Sequence, residues 1–194
     1  YGVFVAQKGG YGSTKTYRAT GINIYDRDGA SFILNGNVDM AVKGVGVDMR
    51  GSEKNTVTIS GGTILTPDDK EEPSYKAVAV TSGTFTIGMN DAKIGASGKD
   101  TVVQGTIYVG DKGTVNLGLG SNKSRWTGIS DNKDGRPVNL YLSDGGTWEN
   151  RWTSKDQYGL FAGSRVTKVA GGSDAAHGGV IVQKDSHPIT IDNY

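Results

Sequence analysis

The chain has no cysteine, so no disulfide can staple it and no thiolate can hold a metal. Histidine is nearly as scarce. His177 and His187 are the only two, too few and too far apart to frame a histidine metal site. No apolar run approaches the roughly 20 residues of a membrane-spanning helix. No basic-then-apolar opening of a signal peptide is present either. Both ends, Tyr1-Gly2-Val3-Phe4-Val5 and Thr190-Ile191-Asp192-Asn193-Tyr194, read as cut from a longer chain. Proline is low, at 4 of 194 residues, and glycine follows no third-residue period, which excludes collagen. Charge of one sign is missing too. The 21 basic and 20 acidic residues leave +1, whereas a nucleic-acid-binding protein shows a basic face. The same balance argues against disorder, which goes with high net charge. Helical periodicity is the last absence: no dozen glycine-free residues place apolar side chains at i, i+3, i+4 and i+7.

What is abundant is glycine, 31 residues, between short apolar units of period two. Apolar residues make up only 35%, enough for the narrow interior of a solenoid but low for a globule. One unit recurs as sequence: Thr56-Val57-Thr58-Ile59, Thr84-Phe85-Thr86-Ile87, Thr114-Val115-Asn116-Leu117, Pro137-Val138-Asn139-Leu140 and Pro188-Ile189-Thr190-Ile191. The steps from Val57 to Phe85, Val115 and Val138 are 28, 30 and 23 residues, and Ile189 follows after 51, near two more steps. A strand-bearing period of 20 to 30 residues marks a β-solenoid. The expectation is therefore an all-β, right-handed parallel β-helix forming a single elongated domain over 1–194. The apolar pair of each unit points inward, and Thr or Asn between them forms ladders outside. At about 23 residues per coil the chain makes roughly eight coils, a rod of about 40 Å. Two stretches interrupt the beat: the proline-bounded acidic segment Thr66-Pro67-Asp68-Asp69-Lys70-Glu71-Glu72-Pro73, and the irregular run from Trp152 to Gly163.

From Gly113 to Tyr194 the sequence resembles a known family. Trp126-Thr127-Gly128, then Asn139-Leu140-Tyr141-Leu142, then Gly146-Thr147-Trp148 follow the order found in the passenger β-helix of bacterial autotransporters (type V secretion). Ser164-Arg165-Val166-Thr167, Gly171-Gly172 and the closing Ile189-Thr190-Ile191-Asp192-Asn193-Tyr194 are similar to repeats of the same proteins. The first 110 residues share only the general style. The resemblance implies an extracellular rod on a bacterial cell surface, anchored by a C-terminal outer-membrane barrel that this stretch lacks. It implies an adhesion or self-association scaffold, with a host-surface glycan or protein, or neighbouring copies of itself, as partner. Since such passengers include proteases and toxins, enzyme chemistry has to be sought residue by residue.

A serine-protease passenger would need a nucleophilic serine with histidine and aspartate. Gly171-Gly172-Ser173-Asp174 reads instead as a loop, and His177 and His187 as turn residues. A polysaccharide lyase or glycoside hydrolase on the same fold is the alternative function, and a trimeric tail-spike segment a third. Asp68, Asp69, Glu71 and Glu72 are the acidic candidates, but their bunching in one loop suits a solvated loop better than a Ca²⁺ site. No cofactor or metal is expected. For ligand binding the richest stretch is Asn122 to Arg136. There Lys123, Arg125, Trp126, Lys133 and Arg136, with Trp148 one coil on, offer cations beside an aromatic ring against Asp131 and Asp134. The competing expectation is that Trp126 and Trp148, 22 residues apart, stack on each other as part of the rod.

Overall fold

In the computed structural model the short apolar units become parallel strands, stacked coil upon coil. The structure describes residues 19–69, 75–91, 95–132, 135–154 and 163–194. Each coil has three faces. The first stacks β1 (Ala19–Asp26), β3 (Gly44–Gly51), the opening halves of β5 (Lys76–Ile87) and β9 (Thr106–Leu119), β11 (Ser130–Asn132), the opening half of β14 (Ser164–Gly171) and β16 (Ile189–Asn193). The second stacks the opening halves of β2 (Ser31–Ala41) and β4 (Thr56–Leu65), the closing halves of β5 and β9, β12 (Val138–Leu142) and the end of β14. The third stacks the ends of β2 and β4, β8 (Thr101–Gln104), β10 (Arg125–Gly128), β13 (Thr147–Asn150) and β15 (Val180–Gln183). A small antiparallel hairpin, β6 (Met89–Asp91) with β7 (Gly95–Ala96), interrupts the third coil.

The repeat spacing maps onto register. Val57 pairs with Phe85, Phe85 with Val115, and Val115 with Val138, so the recurring unit forms one inward column of the second face. All four side chains are fully buried. The outward position beside that column carries the expected polar ladder. The Asn116 side-chain amide donates to Thr86 Oγ1 at 3.1 Å, and that of Asn139 donates to Asn116 Oδ1 at 2.9 Å.

Two expectations are corrected. The rod has about six coils, not eight. Coil length runs from 22 residues, Trp126 to Trp148, up to 39, Gly62 to Thr101, because corners carry insertions. Ile189 does not continue the Val57 column either: it pairs with Ser164 on the first face, and the second face of that coil is Lys168-Val169-Ala170. A spacing of 51 residues counts as two coils only if both have ordinary corners, and residues 151–163 and 172–179 are long ones.

Among the described residues, the third face holds the two largest fully buried side chains, Trp126 and Trp148. Its inward column runs Met40, Ile64, Val103, Trp126, Trp148, Ile181. The two indoles stack with centroids 4.8 Å apart and planes 5° from parallel. That separation is the strand spacing itself, so the backbone ladder sets the ring contact. Each indole N–H donates at 3.1 Å to a corner carbonyl one coil back, Trp126 to Gly105 and Trp148 to Gly128. Gly128 is forced by this approach: a Cβ there would run into the Gly105 carbonyl. The middle coils are closed to solvent, whereas Phe32 and Leu34 at one end, and Val169, Ile181, Ile189 and Ile191 at the other, are only partly buried.

Trp148→Ala is expected to cost about 3–5 kcal/mol in chemical denaturation followed by circular dichroism. Trp148→Phe keeps a stacking ring but drops the N–H donor, and is expected to cost clearly less. Equal losses would assign the stabilisation to the Gly128 hydrogen bond and not to the ring.

Candidate functional site

The corner between the third and first faces is where the repeat is broken most. In the third and fourth coils it is tight, turned by Gly105 at φ 131° and by buried Ile129. In the second and fifth coils it is replaced by two longer excursions, described over residues 66–69 and 151–154. Both leave the rod directly after the third-face strand, β4 in one case and β13 in the other, so they emerge in the same phase.

Because the coils between them are tight, the excursions meet across the rod. Asp69 and Ser154 form a parallel bridge, and the Asp69 backbone N–H donates to the Thr153 carbonyl at 3.0 Å. The Ser154 and Thr106 hydroxyls share a hydrogen bond of 2.9 Å, which ties the junction to the coil beneath. Arg151 pairs with Asp68, 83 residues away in sequence, while its Nε lies 3.9 Å from Glu149. The two carboxylates flanking Arg151 leave this part of the corner acidic.

The sixth coil clasps the same junction. Asp185 accepts the Trp152 backbone N–H at 2.8 Å and that of His187 at 2.9 Å, with the His187 ring nitrogen at 3.2 Å. The Trp152 and His187 rings meet edge to face, 4.5 Å between centroids. Partial burial pushes the Asp185 carboxyl up, but the His187 and Trp152 N–H groups and the His187 ring outweigh it. The net result lies below the usual aspartate range.

The residues singled out in sequence do not form one site. Trp126 and Trp148 are fully buried in the rod, so neither ring offers a face to a ligand, and the stacking expectation holds. Lys123 and Arg125 are exposed at the corner between the second and third faces, with Arg125 between Val102 and Thr147 on the outer surface. Arg136 is half-buried at a different corner, between the first and second faces. The stretch from Asn122 to Arg136 fills more than half of a 23-residue coil and turns two corners on the way, which disperses its cations. Lys133, Asp134, Glu71 and Glu72 lie outside the described residues.

The protease-like signature is equally local. Ser173 Oγ donates to Asp174 Oδ2 at 3.3 Å, and the Asp174 carboxylate also takes the His177 ring nitrogen at 2.8 Å. Aspartate thus stands between serine and histidine in a self-capped turn, each of them bonded to its carboxylate. Among the described residues no three histidine or carboxylate side chains are placed to hold a metal ion. Sequence spacing flagged both excursions but not their pairing. The usable signal was their common phase, each following an inward-facing third-face strand. Comparison of the chain with family models, curated proteins and solved structures gives no match.

The Asp185 clasp generates a pH prediction. A carboxyl held low when folded contributes stability at and above the usual aspartate range, lost as pH falls through that range toward the folded value. The thermal midpoint of the wild-type chain is expected to drop between about pH 5 and pH 3. Asp185→Asn is expected to be less stable than wild type at pH 7 and to converge on it in acid. A constant gap at both pH values would show that the carboxylate charge contributes nothing.

Proposed function

We propose that this chain is part of an autotransporter passenger: an extracellular, non-enzymatic rod on a bacterial surface that mediates adhesion or self-association. One observation carries the reading: two non-repeating excursions from distant coils of a repetitive solenoid converge on one corner. A rod of stacked coils displays the same chemistry at every level, so recognition has to come from what does not repeat. The convergence supplies a composite surface of Asp68, Asp69, Arg151 and Trp152 on a rigid support. The order of Trp-Thr-Gly, Asn-Leu-x-Leu and Gly-x-Thr-Trp adds the autotransporter part of the proposal, because those residues form consecutive faces of two adjacent coils, the first on the fourth coil and the other two on the fifth. The partner is a host-surface glycan or protein, or a neighbouring copy of the chain. Display of many copies sums individually weak contacts.

The test is display on a non-adherent Gram-negative host through a heterologous autotransporter barrel, scored by attachment to epithelial cells and by autoaggregation. Wild type is expected to gain at least one of these behaviours. The double substitution Asp68→Lys with Asp69→Lys is expected to lower it about tenfold, since a modest loss per contact multiplies across many copies. The Asp68–Arg151 pair is part-exposed and worth at most about 1 kcal/mol, so the variant rod stays folded. Display with neither behaviour would overturn the adhesive reading, and an undiminished double variant would move recognition away from this corner.

A further inference from the structure

The same corner continues towards the first coils as a groove of about 340 Å³, lined by Ala41, Val42 and Lys43 of the first coil, Leu65, Thr66 and Pro67 of the second, and Gln104 of the third. It exists because the corners differ in length. The first coil turns from β2 to β3 through Val42 and Lys43 alone, whereas in the second β4 is followed by residues 66–69, which run to the bridge with Ser154. We infer that this groove binds a small aliphatic carboxylate.

Three properties select that chemistry. The volume lies at the small end of the range for small-molecule sites, about 300–1,000 Å³. The walls are mainly carbon, from Ala41, Val42, Leu65 and Pro67. The polar groups in the lining are committed to each other: Thr66 Oγ1 donates to the Gln104 carbonyl at 3.0 Å, and the Gln104 side-chain amide donates to the Thr66 carbonyl at 2.9 Å. A hydroxyl-rich ligand such as a sugar would find few partners there. The exception is Lys43, exposed at the rim with no acidic partner among the described residues. An alkyl chain against the walls with its carboxylate at Lys43 satisfies both.

The inference rests on the reading of this corner as a recognition surface, but its test needs no cells. The ¹⁵N-labelled chain is titrated with butanoate, hexanoate and octanoate, and with hexanol and hexylamine. Saturable amide shifts are expected at Ala41, Val42, Lys43, Leu65 and Gln104. Affinity is expected to rise about fourfold per added methylene until the groove is filled. Hexanoate is expected to bind up to about fivefold more tightly than hexanol, the range of an exposed ion pair, and hexylamine more weakly than either. Lys43→Gln is expected to bring hexanoate down to hexanol. Ala41→Leu, at an exposed position that tolerates the larger side chain, is expected to abolish the shifts without moving the thermal midpoint.

No saturable shifts at these amides, or hexylamine binding as well as hexanoate, would overturn the inference. Binding by carboxylates with no adhesion would leave the ligand site standing and remove only the adhesive role. Adhesion without carboxylate binding would do the reverse.

Discussion

Everything in this fold follows from in-register parallel stacking at a single strand spacing. Successive coils place the same face of the chain one strand apart, about 4.8 Å, so each side chain lies over its counterpart in the next coil. Like must stack on like, or each mismatch is repeated along the rod. Trp126 on Trp148 is the most demanding case. Two flat rings separated by 4.8 Å are in contact, whereas a ring over a charged group at that distance would strand the charge. Asn116 between Thr86 and Asn139 is the polar version, with the hydrogen bonds running along the axis instead of across the core.

The same constraint explains the glycines that cannot be replaced. Where the chain turns a tight corner, the backbone of one coil rests directly on the next. Gly128 sits on the Gly105 carbonyl, which also accepts the Trp126 indole N–H. The corner is thus packed by an indole from within and by backbone from above. Truncating Trp126 would cost the hydrogen bond as well as the contact, and a side chain added at Gly128 would collide with the carbonyl that accepts it.

The stacking columns were legible in the sequence because they are periodic. Val57, Phe85, Val115 and Val138 can be aligned by eye, and so can the two tryptophans. Coil count was less legible, since counting needs corner lengths and corners carry no periodic signal; the misplacement of Ile189 has the same origin. The candidate site was hardest to read. Cation-rich Asn122 to Arg136 looked like a site because its residues are close in sequence, yet a coil separates neighbours by faces as effectively as it joins residues a coil apart. Arg151 and Asp68 meet for the opposite reason: both follow a third-face strand, so the fold brings them to one corner despite the 83 residues between them.

Phase in the coil, and not distance in sequence, therefore decides which residues of a solenoid cooperate. An insertion is tolerated wherever the chain can leave and rejoin the stack without shifting register. Insertions in different coils work together only if they leave at the same corner and the coils between them turn tightly enough to let them touch. Here Gly105 and Ile129 provide that clearance. The residues 66–69 and 151–154 then bond to each other, and the sixth coil holds the second of them through Asp185. A surface made this way carries chemistry the columns cannot, because nothing above or below it is required to match.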